Sequence, residues 1–338
     1  MALLEVLIPT YNRPHELAKC FRSLENSIKN LSLVERSKLA ISVRNNSTEY
    51  FEQYKNLIDT YNPIFKNLNI SSFDYQFTGF NIGGTNNCIG GILNSKSDYI
   101  WVLPDDDIAR FDALSLSISV IEKYKPDFIS GGWVDKSTIE YSSNEIGEDN
   151  RQPNKILDVI YDRSKILLFL GKNVVQLQEY IYNVQIVKKF LNNDKYVRFF
   201  LNFNFMFPGV FAIFSLQSTK SFVRLERSLG IFRWGDPRSE WRHLWYKYAL
   251  IDWPIISEKL FKIGCLNKVE TKVSKAVFRV WFPKLSYRPD ILLGINRKSS
   301  VNPFLLIKYH GHHFFIALLK SPFLTFKEIV KRLKKYLK

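Results

Sequence analysis

The sequence predicts an α/β protein: a doubly wound, mostly parallel sheet followed by a helical, basic C-terminal extension. Three features carry that prediction. From Leu3 to Val134, apolar runs of strand length alternate with segments of helical periodicity, a pattern that folds as a parallel sheet wrapped on both faces. The loops leaving several of these runs are rich in Asn, Gly and Asp, which puts polar chemistry beyond strand carboxyl ends, where such sheets bind ligands. Positive charge collects late in the chain. From Lys268 to Lys338, 16 Lys and Arg stand against 3 Asp and Glu, a balance of +13 within a total of +16.

In chain order, Leu3 to Ile8 reads as a buried strand, and Pro9-Thr10-Tyr11-Asn12-Arg13-Pro14 as a turn opening a helix through Asn30. Leu17, Phe21, Leu24 and Ile28 lie at helical spacing on its inner face. Leu39 to Val43 is a second strand, emptying into Arg44-Asn45-Asn46-Ser47, and a helix follows over Tyr50 to Tyr61. Ile70 to Gln76 is a third strand. The loop Gly79-Phe80-Asn81-Ile82-Gly83-Gly84-Thr85-Asn86-Asn87 leads into a helix ending near Ser95. Tyr99 to Leu103 is a strand running into Asp105, Asp106 and Asp107; a helix over Ala113 to Tyr124 and a strand over Asp127 to Val134 complete the alternation. Asp135 to Asn154 reads as a mobile polar connection. Lys165 to Asn192 and Val197 to Leu216 are apolar and aromatic, with Phe199, Phe200, Phe203, Phe205, Phe207, Phe211 and Phe214 read as core. Ser221 to Trp234 is expected to be one strand, ending at Gly235-Asp236-Pro237 ahead of a helix from Ser239 through Ile251.

With 46% hydrophobic and 15% aromatic residues in 338, the chain has ample core material and exceeds one typical domain. Cys20, Cys88 and Cys265 stand far apart without metal-ligand spacing, which fits buried thiols in a reducing compartment. The start MALLEVLIPTYN lacks a basic segment before a long apolar core, so no signal peptide is expected. No apolar run reaches the roughly 18 residues that a spanning helix needs. The expected location is cytoplasmic, peripheral on the inner face of the plasma membrane.

The aspartate triplet has two readings. Carboxylates at a strand's carboxyl end can hold a hard divalent cation against a ligand's phosphates. Alternatively the triplet is a solvated acidic turn capping a helix over Ile108 to Ala113. What surrounds it favours the first. Leu7-Ile8-Pro9-Thr10-Tyr11-Asn12-Arg13, Asn45-Asn46-Ser47, Asn81-Ile82-Gly83-Gly84-Thr85-Asn86-Asn87 and Leu103-Pro104-Asp105-Asp106-Asp107 stand in the order and spacing of four segments that resemble family 2 glycosyltransferases with the GT-A fold, of the bacterial surface-polysaccharide type. The resemblance covers Leu3 to Val134.

That resemblance implies a GT-A-like sheet and a nucleoside-diphosphate sugar donor. It implies that Pro9, Thr10, Tyr11, Arg13 and Asn45 surround the base and ribose, and that Asn81, Gly83, Gly84 and Asn87 line the donor pocket. Asp105 and Asp106 would meet the donor, and Asp107 with Asp105 would hold Mg²⁺ or Mn²⁺ on the diphosphate. Residues 1–135 become the nucleotide-sugar half, 136–265 the acceptor half, and 266–338 a basic, membrane-associating extension. Two departures from the family pattern matter. Asn45 stands where an aspartate commonly pairs with uracil, and Asn202 to Gly209 carries no carboxylate where a general base is often found.

The base must then come from elsewhere, and Asp236, Glu240 and Glu179 are the candidates. Arg233, Arg238 and Arg242 around Trp234 and Trp241 could clamp a diphosphate, or form a helix start with solvated arginines. Glu179 could instead be a surface carboxylate on a strand edge. His310, His312 and His313 read as a polar interfacial loop, with transition-metal ligation as the alternative. Phe326, Ile329, Val330, Leu333 and Leu337 oppose Lys327, Lys331, Lys334, Lys335 and Lys338 as an amphipathic basic helix, suited to an anionic membrane surface. The expected activity is a metal-dependent, inverting transfer to a glycan or lipid-linked acceptor in O-antigen or capsule synthesis. A sugar nucleotidyltransferase and a nucleic-acid-binding protein working through the basic C-terminal region are the competing classes.

Overall fold

The structure is a computed structural model describing residues 1–131, 153–161, 165–166, 179–192, 221–231, 247–276, 301–317 and 319. The connection after Asp135 up to residue 152, the Phe199 to Phe214 cluster, Arg233, Asp236, Glu240 and the basic tail from Pro322 lie outside the described residues. Two compact units are present, one of residues 1–166 and 173–235, the other of 167–172 and 236–338.

Among its described residues the first unit has ten strands: β1 (Leu4–Thr10), β2 (Leu39–Asn45), β3 (Ser72–Phe77), β4 (Tyr99–Val102), β5 (Ile108–Ala109), β6 (Phe128–Ser130), β7 (Ile156–Ile160), β8 (Tyr180–Asn183), β9 (Phe222–Leu225) and β10 (Gly230–Ile231). Eight form one sheet in the order β3-β2-β1-β4-β8-β6-β9-β7, and β5 pairs with β10. β1 to β4 are mutually parallel, as are β6 and β9, while β8 and β7 run antiparallel to their neighbours. The predicted mostly parallel sheet is present.

Its two faces are covered by different helices. Alternate strand residues Leu4, Val6 and Ile8 share a core with Leu17 and Phe21 of α1 (Pro14–Lys29) and Tyr54 and Phe65 of α3 (Phe51–Asn67). Ile118 of α5 (Ala113–Tyr124) belongs to the same core. A short helix α2 (Leu33–Arg36) returns the chain to β2 under a Ser32–Glu35 capping box. Leu7 points the other way, against α4 (Gly84–Asn94). A Cβ added at Gly91 would lie 2.5 Å from Leu7 Cδ1, so only glycine lets this helix lie so close to β1.

Three elements differ from expectation. α3 runs past Tyr61 to Asn67 with Pro63 inside it. An internal proline costs about 3 kcal/mol, but Pro63 is exposed and the extra turn buries Phe65 among Phe21, Tyr61 and Phe73, a gain of similar size. The strand expected over Ser221 to Trp234 is two short strands in different sheets, because Asn154 bonds both Arg227 backbone groups and turns the chain between them. The histidines lie on a helical run over 303–317 rather than in a loop.

In the second unit, Tyr248–Asp252 is a π-helical turn leading into α7 (Trp253–Lys262) and α8 (Lys268–Ala276), following α6 (Val184–Leu191) of the first unit. The indole N–H of Trp253 donates to the Ser274 carbonyl at 3.1 Å, tying α7 to α8. None of the described helices is long and apolar enough to cross a membrane.

Candidate active site

The strand order reverses between β1 and β4, and the carboxyl ends of β2, β1 and β4 deliver Asn45, Thr10 and Asp105 to that reversal. Crevices of this kind are where open α/β sheets bind ligands. Asp105 is fully buried. Thr10 Oγ1 donates to its Oδ2 at 2.6 Å, and Arg13 Nη2 stands 2.5 Å from its Oδ1. Arg13 Nη1 donates to Asp106 Oδ2 at 2.6 Å. The proton count orders the rest: the Arg13 backbone N–H donates to Tyr54 Oη, so the Tyr54 hydroxyl donates to Thr10 and Thr10 to Asp105. Burial pushes Asp105 up to about 7, a rise limited by Arg13 and the Thr10 hydroxyl. Burial also disfavours charge on Arg13, yet the ion pairs with Asp105 and Asp106 outweigh it and hold Arg13 above its usual range.

Side-chain amides lace the loops together. Asn12, in the left-handed region at φ 53°, accepts the backbone N–H groups of Thr48 and Glu49, and its own N–H donates to Ser47 Oγ. Asn46 donates to Asn81 Oδ1 at 2.9 Å and accepts Ile82 N–H at 2.7 Å, while Asn81 also accepts Gly83 N–H. Gly83 takes φ +82°, and a Cβ on Gly83 or Gly84 would meet nothing within 4 Å. Among the described residues the N-terminus of α4 therefore faces open space, where backbone N–H groups and the helix dipole favour an anion.

Of the residues expected to meet the donor, Pro9 and Arg13 are half-buried and Tyr11 is exposed at the mouth of the crevice. Asn45 differs from the expectation of a base-facing amide. It is fully buried, with Nδ2 donating to Tyr75 Oη at 2.8 Å and Oδ1 accepting Ser47 N–H at 2.8 Å. Asn87 is also buried, bonded to the Arg44 carbonyl at 2.9 Å, where it ties α4 to β2. Tyr54, Asn12 and Asn46 organise the site without having been singled out. A buried tyrosine on a helix face gives no signal in the sequence to separate it from core, whereas an asparagine in a turn after a strand does.

The solvated acidic turn is excluded: Asp105 and Asp107 are buried, Ile108–Ala109 pairs with β10, and the helix opens only at Ala113. The oxygen donors suit Mg²⁺ or Mn²⁺ in kind, but their arrangement does not, because the Arg13 guanidinium occupies the face shared by Asp105 and Asp106. Among the described residues no group of three His, Cys, Asp or Glu is arranged to hold a metal ion. That includes the histidines: His310 is buried with Nε2 at 2.7 Å from the Leu250 carbonyl, and His312 is exposed. The three cysteines are buried.

Glu179 departs furthest from its expectation as a surface carboxylate. It opens β8, between β4 and β6, and is fully buried. Gly131 N–H donates to its backbone carbonyl at 2.7 Å. Its Oε1 meets Ser228 Oγ, which also meets the Gly230 carbonyl. A hydroxyl has one proton, and the Gly230 carbonyl only accepts. Ser228 therefore shares that proton between the Gly230 carbonyl and Glu179 Oε1. Burial pushes Glu179 up to about 8, against the Ser228 and Leu229 hydrogen bonds and the Arg110 charge.

The family model for glycosyl transferase family 2 matches residues 5–181, more than half of the chain's 338. The chain belongs to glycosyl transferase family 2. It is a glycosyltransferase, which sets aside the nucleotidyltransferase and nucleic-acid-binding classes. Its fold is similar to S. aureus TarS 1-349 in complex with UDP-GlcNAc, at TM-score 0.58 and 12% identity, covering 96% of this chain and 89% of that one. It is also similar to the mannosyltransferase PcManGT from Pyrobaculum calidifontis in complex with GDP-Man and Mn²⁺, at TM-score 0.55 and 9% identity, covering 94% and 86%. No curated protein sequence matches the chain significantly.

Protonation of Glu179 predicts a pH signature. The unfolded carboxyl loses its proton near 4.5 and the folded one near 8, so the stability it contributes is complete below about 4.5, falls through that window and is gone above 8. Glu179→Gln keeps a partner for Ser228 and has no proton to lose. Thermal melts should show the wild type falling relative to Glu179→Gln by on the order of 3 kcal/mol from pH 5 to 8. Parallel curves would mean that Glu179 is ionised at neutral pH.

Proposed function

We propose that this family 2 glycosyltransferase moves a sugar from a nucleoside-diphosphate donor, seated at the β1/β4 reversal, to a glycan or lipid-linked glycan of the cell surface, with inversion. The observation that carries the reading is that four polar loops, bonded to one another, bring Thr10, Arg13, the α4 N-terminus and the aspartates to one crevice. UDP-GlcNAc in one solved neighbour and GDP-Man with Mn²⁺ in the other support a nucleotide-sugar donor and a Mg²⁺ or Mn²⁺ cofactor. Such an ion would neutralise the charge left on the departing diphosphate. The protein's own groups bind and orient: Arg13 offers a planar fork for diphosphate oxygens, and Asp107 is proposed as the direct metal ligand, with Asp105 beside it.

Asp236 and Glu240 are proposed as the source of the general base. A base must be unprotonated at the working pH and within reach of the acceptor hydroxyl, which Glu179, fully buried and pushed up to about 8 by that burial, does not offer. β10 carries the chain to Ile231, paired with Ile108 next to Asp107, two residues before Arg233. That register supports Arg233 as a donor contact.

The acceptor's location follows from charge. The excess of +13 from Lys268 to Lys338 favours an anionic lipid surface at the inner face of the plasma membrane. On the helical run over 303–317, Leu306, His310, Phe314 and Ala317 are buried, while Phe304 and Phe315 are 80% and 51% exposed. A helix with a second apolar face opposite its packed one can lie in a headgroup layer.

Three outcomes are expected. UDP or GDP with Mn²⁺ raises the melting temperature, and Asp107→Asn removes the Mn²⁺-dependent part; a full shift in the variant would relocate the metal. Either Asp236→Asn or Glu240→Gln lowers kcat by roughly a hundredfold or more with donor binding intact; unchanged turnover in both would exclude them as bases. In flotation with anionic vesicles the wild type rises, and removing residues after Pro322 together with Phe304→Ser and Phe315→Ser leaves it at the bottom. Equal recovery would exclude the membrane contact.

A further inference from the structure

We propose that the corner between α7 and α8 is a headgroup-reading contact: Lys262, Lys268 and Lys272 meet anionic lipid while Phe261 and Val269 enter the bilayer surface. The inference rests on the membrane reading above and adds the face that selects charged lipid.

The corner is built to hold its shape. α7 ends at Lys262, Gly264 takes φ +79°, and the Cys265 N–H donates to the Leu260 carbonyl at 2.8 Å, which turns the chain toward α8. Cys265 and Leu266 are buried, so the link is anchored from below. At the start of α8 the Asn267 side chain accepts the Glu270 N–H at 2.9 Å, and the Glu270 carboxylate accepts the Asn267 N–H at 2.8 Å.

Outward, the corner presents apolar tips next to cations. Phe261 is 46% and Val269 71% exposed, and their chain neighbours Lys262 and Lys268 are exposed with them. Lys272, also exposed, lies one turn after Lys268 on the same face of α8. Each described carboxylate of this unit is engaged elsewhere: Glu258 pairs with Lys275 at 2.7 Å, Asp252 pairs with Lys247 at 2.7 Å, and Glu270 is buried in its cap. Lys268 opens α8, the end at which the helix dipole disfavours a cation. An anion outside the corner offsets the dipole and the lysines together.

The apolar tips decide the class of anion. A soluble polyanion engages the lysines alone and leaves Phe261 and Val269 in water. A bilayer takes both, because lysine stems lie along the apolar boundary with their ammonium groups at the phosphates. The helical run over 303–317 is held to the same unit by His310 Nε2, 2.7 Å from the Leu250 carbonyl, and by Lys275 over the Tyr309 ring. Stable attachment takes two signals, apolar insertion and a basic patch. Phe304 and Phe315 serve chiefly the first, and the corner serves the second.

The test is co-sedimentation of the full chain with vesicles of phosphatidylglycerol and phosphatidylcholine, set against phosphatidylcholine alone. Lys262→Gln, Lys268→Gln and Lys272→Gln together should lower partitioning onto the anionic vesicles about a hundredfold, or about fivefold for each lysine. Arginine at the same positions should restore it. Phe261→Ser with Val269→Ser should weaken vesicle binding and leave retention on soluble polyphosphate unchanged. These side chains are exposed, so the variants should melt with the wild type, which separates a lost contact from a lost fold. If the glutamine variant partitions like the wild type while removal of the tail abolishes binding, the corner is overturned and the membrane reading stands. If the serine variant binds vesicles normally and the glutamine variant loses polyphosphate, the corner is a polyanion site and the lipid assignment is overturned. Wild type that ignores anionic vesicles ends the membrane reading and this inference together.

Discussion

A carboxylate with no exposure to water is the constraint around which the first unit is organised. Asp105 sits at the end of β4 where the sheet reverses its order, and it is tolerable there only because Thr10 and Arg13 face it. Those two residues belong to the end of β1 and the turn after it, so stabilising one charge fixes the distance between two strand ends. Tyr54 extends the chain of hydrogen bonds into α3. A local electrostatic requirement thereby becomes a geometric specification for the crevice.

The amide network completes that specification without charge. Asn12 joins the first loop to the second and Asn46 joins the second to the third. Each satisfies backbone groups that would otherwise lack partners near a strand end. Asn45 has the same character: its amide is spent on Tyr75 and Ser47, so it holds β2 and β3 in register. The loops are long and polar, yet they are not loose in their bonding. Preorganisation of this kind reduces the entropy that a bound ligand must otherwise overcome.

Much of this was legible in the sequence, and the reasons differ by element. Period-two burial in Leu4, Val6 and Ile8 and helical spacing in α1 gave the sheet and its cover, because one-sided burial imposes those periods. The aspartates stood out because three consecutive carboxylates after an apolar run are costly without a purpose. Tyr54 and Glu179 were not readable in their actual roles. Both act through partners more than 40 residues away, and no local pattern records such a contact. α3 overran Pro63 because a tertiary contact, Phe65 against Phe21, outweighed a local rule. β9 and β10 separated for a similar reason, since the turn between them is held by Asn154 from another strand's approach.

Family membership and the crevice agree on sugar transfer, and they meet at the aspartates. The most direct measurement is a crystal structure of the full chain with Mn²⁺ and a nucleoside diphosphate, using anomalous scattering to place the metal. The account predicts the nucleoside diphosphate at the β1/β4 reversal, with the ion against the Asp107 carboxylate. Nucleotide and manganese bound elsewhere would contradict it.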